Sequence, residues 1–143
     1  MKPQVLISRP VGHRATDLLR VLCDVQILSN TGPRAWSRSE LSVLARDAVA
    51  MLVSPEDLVD EALLEQCRRL QIVATTAHYP CHIDVAACTR RGIWVSSPAT
   101  SADRAKFDER DAAELDAARN IIDVLNRDTP RSAINSVCPV VAA

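Results

Sequence analysis

Residues 70–97 read LQIVATTAHYPCHIDVAACTRRGIWVSS. Leu70–Thr75 is a short apolar, β-branched run with little strict alternation, the pattern of a strand covered on both faces. Ile83–Arg91 sets Val85, Ala86 and Cys88 along a helix, and Gly92 supplies the residue type that commonly closes one. Gly92–Ser96 is a second strand run. Strand, helix and strand in that order make a parallel, right-handed crossover.

The unit recurs upstream. Strand runs stand at Gln4–Ser8, Val25–Ser29 and Val49–Ser54. Between them, Ala15–Cys23 places Leu18, Leu19 and Leu22 on one stripe, and Ser37–Arg46 offers Leu41, Leu44 and Ala45. Asp60–Leu70 offers Ala62, Leu63, Leu64 and Cys67. Ser37 with Glu40 three residues later is a capping-box pattern. Strands alternating with helices predict an α/β fold, a flavodoxin-like, doubly wound five-stranded parallel sheet with helices on both faces. The rhythm stops after Ser97-Pro98, and a long C-terminal helix is predicted from Asp103 to about Arg127, capped by Thr100 or Ser101. Its second half carries Leu115, Ala118, Ile122 and Leu125 as a face to bury. Its first half is polar, with weak pairs Arg104/Asp108 and Arg110/Glu114, and is expected to project or to lie against a partner. Asp128–Arg131 reads as a turn and Val137–Ala143 as a short frayed tail. The expected organisation is one domain over 1–143, with βα units in 1–98 and a return helix and tail in 99–143.

Composition excludes several functions. A chain of 143 residues with 48% apolar and 24% charged residues suits one ordinary globular domain. A net charge of −1 gives no basic field for nucleic acid or an acidic membrane surface. No apolar run approaches the ~20 residues of a membrane span. Met1-Lys2-Pro3-Gln4 leads straight into a strand run, with no signal peptide visible. Five cysteines, at 23, 67, 81, 88 and 138, include no pair with the two-residue gap of a zinc or redox motif. The expectation is therefore free thiols in a reducing cytoplasm, with Cys23, Cys67 and Cys88 acting as small buried hydrophobes. Only three glycines are present, Gly12, Gly32 and Gly92, far apart in sequence. A glycine-rich dinucleotide or phosphate loop needs two or three close together, so neither is encoded.

Ligands of doubly wound sheets bind beyond the carboxyl ends of the strands. Those ends supply Ser8–His13, Ser54-Pro55, Thr76–Cys81 and Ser96–Ala99. Arg9 and His13 bring positive charge there, and protonated His78 would pair with an anion. Each has a structural reading beside the functional one. Arg9 serves equally as a satisfied edge charge, His13 as a solvated turn residue, and His78 as a hydrogen-bond partner of a loop carbonyl. Tyr79 and Pro80 serve equally to stiffen their loop. His78, Cys81 and His82 form an H-x-x-C-H cluster of metal-ligand type, but no fourth ligand is apparent and no metal is expected. Cys81 and His82, adjacent in sequence, are poorly placed to act on each other as nucleophile and base.

Residues 70–97 resemble the late substrate-domain segment of the D-2-hydroxyacid dehydrogenases, in which a ligand loop leads into a short helix of the form ID-x-x-A-C-T-x-R-G. Val5–Cys23 and Ala48–Leu70 follow the same family, and its phosphite dehydrogenases are similar members. Residues 118–135, ARNIIDVLNRDTPRSAIN, resemble the family's final helix and tail. In that family a nucleotide-binding domain, with the glycine fingerprint and the catalytic arginine, glutamate and histidine, is inserted between these parts. Here Pro98–Ala105 passes directly from one part to the other. The resemblance therefore implies a lone substrate-binding domain with no cofactor, which would not transfer hydride by itself. It also implies that the loop Ala77-His78-Tyr79-Pro80 faces a substrate carboxylate with its backbone N–H groups. This sequence departs there: Tyr79 stands where a glycine is expected, and Pro80 has no N–H. His78 matches a lysine position of the phosphite dehydrogenases.

The candidate ligand residues are Ala77, His78, Tyr79, Arg9, His13 and Ser54, for a small carboxylate or oxyanion. Three expectations compete: a binding module without redox activity, an interaction protein forming a homodimer through surface left uncovered, and an enzyme of unrelated chemistry using His78, Cys81 or a metal.

Overall fold

The computed structural model describes residues 2–28, 37–98 and 109–137. The apolar runs become strands because their residues can bury both faces of a sheet at once. β1 is Gln4–Ile7, β2 Asp24–Ile27, β3 Ala50–Val53, β4 Ile72–Thr75 and β5 Trp94–Ser96. All four residues of β3 and of β4 are buried. The strands pair in the order β2-β1-β3-β4-β5, parallel throughout. This is the doubly wound arrangement expected from the sequence, with α1 (His13–Arg20), α2 (Arg38–Leu44), α3 (Glu61–Gln66), α4 (Val85–Arg90) and α5 (Glu109–Leu125) as its helices.

Alternation along each strand sorts the core into two layers. Leu6, Met51, Val53, Val73 and Val95 face one way and pack with Leu41, Leu63, Leu64, Ala87 and Cys88 from α2, α3 and α4. Val5, Ile7, Ala50, Leu52, Ile72 and Ala74 face the other way and pack with Leu19 of α1 and Ala117, Ala118, Ile121 and Val124 of α5.

Caps fix the helix ends. Glu40 N–H donates to Ser37 Oγ at 3.2 Å and Ser37 N–H to Glu40 Oε2 at 3.0 Å, completing the predicted capping box. Asp60 and Asp84 accept from Leu63 N–H and Ala87 N–H, each at 3.0 Å, and so start α3 and α4. Gly92 adopts φ 73°, a left-handed conformation, and Ile93 N–H returns to Cys88 O at 2.8 Å. Cys23, Cys67 and Cys88 are buried and free. Burial pushes the Cys67 and Cys88 thiols up to about 11 and about 12, with the Asp84 charge adding to the effect at Cys88.

Three expectations need correction. α1 begins at His13, not Ala15, because the Gly12 backbone serves as its N-cap; Gly12 N–H donates to Glu114 Oε1 at 2.9 Å. Next, the buried face of α5 is Ala113, Ala117, Ala118, Ile121 and Val124, with Ile122 and Leu125 at its edge and Leu115 only part-buried. Small alanines suit the face that must lie close to the sheet, so the stripe is rotated from the one the larger residues suggest. Finally, the polar front of α5 does not project from Asp111 onward. A Cβ placed on Gly12 would stand 2.8 Å from Asp111 Oδ1 and 3.2 Å from Glu114 Oε1, so α5 lies tight against the β1–α1 turn. Glu114 is 5% exposed and bonds this turn, while the Arg110 side chain, and with it the expected pair, lies outside what is described. The start of the predicted helix, the Arg104/Asp108 pair, Cys138 and most of the predicted tail lie outside the described residues.

Beyond α5 the chain turns at Arg127 (φ 64°) and runs antiparallel past β5. Ile134 N–H donates to Val95 O at 2.9 Å, and Ser97 N–H to Ser132 O at 3.3 Å. Asn135 accepts from Val95 N–H at 2.8 Å and donates to Ile93 O and Thr89 Oγ1, each at 3.0 Å. Asn120 Oδ1 receives Ser132 N–H at 2.8 Å. The segment thereby covers what would otherwise be an open sheet edge.

Candidate functional site

The carboxyl ends of β1, β3 and β4 open onto one cleft of about 500 Å³. Ser8, Arg9, Pro10 and Val11 follow β1; Ser54, Pro55 and Glu56 follow β3; Thr76 and His78 follow β4; Ala113 and Glu114 of α5 close one side. A parallel sheet brings these loops together because every strand ends at the same edge.

A polar cluster supports the cleft from below. Asp57 is fully buried. Its Oδ2 accepts from Ser54 N–H at 3.0 Å, from Ser54 Oγ at 2.9 Å and from Ser8 Oγ. Asp57 N–H closes the same turn onto Ser54 O at 3.1 Å. One carboxylate oxygen thus ties the end of β1 to the end of β3. On the β4 side, Thr75 Oγ1 receives Ala77 N–H at 3.0 Å and meets His82 Nε2 at 3.1 Å. Burial holds the His82 imidazole below its ordinary pKa of 6.5, while the Asp57 and Glu56 charges oppose that shift. Glu56 is held below the usual carboxylate range, first by a hydrogen bond from Ser54 and further by the Arg9 and His82 charges. Arg9 Nε stands 3.7 Å from Glu56 Oε2, with the arginine the more buried partner.

Arg9, Ser54 and His78 line the cleft together. Ala77 stands beside it with its N–H turned onto Thr75. His13 is exposed on the first turn of α1, and Tyr79 is 83% exposed; neither lines the cleft. His78, Cys81 and His82 do not converge, and among the described residues no group of three His, Cys, Asp or Glu side chains is arranged to hold a metal ion. Asp57, Glu56 and Glu114 did not emerge from sequence as site residues. The signal for Asp57 was available: Ser54-x-x-Asp57 is the same spacing as Ser37-x-x-Glu40. Among the described residues no helix is long and apolar enough to cross a membrane.

A 2-1-3-4-5 parallel sheet with a polar cleft at the strands' carboxyl ends defines a doubly wound α/β domain. The chain belongs to the D-isomer specific 2-hydroxyacid dehydrogenase family, whose catalytic domain it matches over residues 5–135. It is 30% identical over 122 residues to a glyoxylate reductase of Pyrococcus furiosus, covering 85% of this chain and 36% of that protein. It is 33% identical over 122 residues to a glyoxylate reductase of Aeropyrum pernix, with the same coverage of each. The chain thus spans little more than a third of the relatives it matches. The solved structure of a glyoxylate reductase from Paecilomyes thermophila superposes with a TM-score of 0.58 at 16% identity, over 69% of this chain and 33% of that one, which speaks to fold alone.

Proposed function

We propose that this chain is a substrate-binding domain that takes a small carboxylate or oxyanion in the cleft at Arg9 and does not transfer hydride by itself. The observation that carries this reading is the convergence of Arg9, Ser54 and His78 on one cleft at the carboxyl ends of three parallel strands. Arg9 supplies the charge that a carboxylate pairs with, and Ser8 and Ser54 line the floor with their hydroxyls turned onto Asp57. Hydride transfer needs a nicotinamide held against the substrate. The described residues contain no glycine-rich cradle for one, and none is expected from the positions of Gly12, Gly32 and Gly92. In this reading the protein acts in the cytoplasm. The relatives' names make glyoxylate the first acid to test. Calorimetric titration should give saturable glyoxylate binding that Arg9→Ala weakens about tenfold or more, and no heat with NADH. Tight NADH binding, or glyoxylate binding indifferent to Arg9, overturns the reading.

A second reading, a homodimer associating through exposed apolar surface, draws on one observation. Leu58 (52% exposed) and Tyr79 (83% exposed) are large apolar side chains on the loops after β3 and β4. A monomeric mass by light scattering at high concentration rejects it.

A further inference from the structure

We infer that the cleft selects its acid by charge, admitting a monoanion and rejecting a dianion of the same size, and that Glu56 sets this preference. The inference rests on the reading of the cleft as an acid-binding site and names the class of acid. Among the described lining residues the ionisable groups are one guanidinium, Arg9, one imidazole, His78, and two carboxylates, Glu56 and Glu114. A third carboxylate, Asp57, lies directly beneath, joined to the floor through Ser8 and Ser54. The carboxylates thus outnumber the guanidinium in and under this cleft. Glu56 holds a particular place in this arrangement. It stands against Arg9 at 3.7 Å and is the more exposed of the two, with 58% of its side chain open against 24% for Arg9. A ligand carboxylate that reaches Arg9 comes up beside Glu56. One negative charge exchanges for part of an existing ion pair. A second negative charge on the same ligand is brought against the exposed Glu56 carboxylate beside Arg9. Glu56 is also kept ionised near neutral pH, because Ser54, Arg9 and His82 all favour its charged form.

Glyoxylate and oxalate make the probe pair, since they differ by one oxygen and by one unit of charge. Both are titrated calorimetrically into the full chain and into Glu56→Gln at low ionic strength. The unmodified protein should bind glyoxylate about tenfold or more tightly than oxalate. Glu56→Gln should shrink that ratio by about tenfold, mainly through tighter oxalate binding, and Glu56→Asp should restore it. Added salt should also narrow the ratio in the unmodified protein, as screening requires. Equal or tighter oxalate binding by the unmodified protein overturns the inference and leaves the acid-binding site standing. A ratio unchanged in Glu56→Gln, whose urea melt confirms a folded chain, removes Glu56 from the role and overturns it equally. Failure of both acids to bind either form overturns the acid-binding reading itself.

Discussion

Replacing Asp57 by alanine tests how the cleft floor is held. In the structure one oxygen of this fully buried carboxylate receives three hydrogen bonds, from Ser54 N–H, Ser54 Oγ and Ser8 Oγ. Hydrogen bonds to a charged group contribute roughly 1.5–3 kcal/mol each, and buried donors left without an acceptor carry a desolvation cost as well. Part of this is returned, because the alanine form no longer buries a carboxylate. Balancing these effects, Asp57→Ala should destabilise the fold by about 3 kcal/mol. For a chain of this size that corresponds to a fall in Tm of roughly 10 °C. Asp57→Asn keeps an acceptor oxygen of the same reach and should lose only about 1 kcal/mol. Urea denaturation followed by circular dichroism measures both, and equal slopes would show that the unfolded states are comparable. An Asp57→Ala protein within about 0.5 kcal/mol of the parent would refute the reasoning, since it would mean that the three bonds are made equally well to water.

Other expectations follow from the same geometry. Asn135→Ala removes three bonds, one to Val95 of β5, one to Ile93 just before it and one to Thr89 of α4, so it should lose about 1–2 kcal/mol and speed hydrogen exchange at the Val95 amide at least roughly tenfold, while β3 amides change no more than global stability requires. Burial depresses the His82 pKa in the folded state, so the unfolded chain binds its proton first as pH falls. The stabilising contribution is then complete above the ordinary value of 6.5 and declines as pH drops from there through the folded pKa. Urea melts at pH 7.5 and pH 5 should show a smaller loss for His82→Gln than for the parent, and equal losses would dismiss the idea. Alkylation at pH 8.5 read by mass spectrometry should modify exposed Cys81 in the native protein, while Cys23, Cys67 and Cys88 react only after unfolding.

The sheet was legible because its signals are local. The run from Leu70 to Thr75 carries its own burial pattern, and Gly92 marks the end of α4 by a conformation few other residues adopt. Ser37 and Glu40 announced a helix start through side chains three residues apart. The site was only partly legible, because its partners meet across the chain. Arg9, Ser54 and His78 could be named from the ends of their strands, which any parallel sheet gathers. The role of Asp57 depends on Ser8, 49 residues away, and that of Glu114 on Gly12, 102 residues away. Ala113 and Ala117 on α5 are hard to read from sequence because a small side chain adds little to an apolar stripe, although smallness is what suits them to a face packed on the sheet. Tyr79 shows the opposite case: a position identified from the ligand loop carries a side chain that stands in solvent.

The placement of α5 has a consequence for how the chain is made. One whole layer of the core, built on Val5, Ile7, Ala50, Leu52, Ile72 and Ala74, has, among the described residues, only α1 to cover it until residues 113–124 arrive. The edge of β5 likewise waits for residues 132–135. A nascent chain leaving the ribosome therefore carries five complete strands with one face largely wet, and that face closes only when residues 113–124 pack back onto β1, β3 and β4. Such long-range closure slows folding and lengthens the interval in which apolar surface is open to other chains. A chaperone would meet this protein in that interval, at the face α5 later takes.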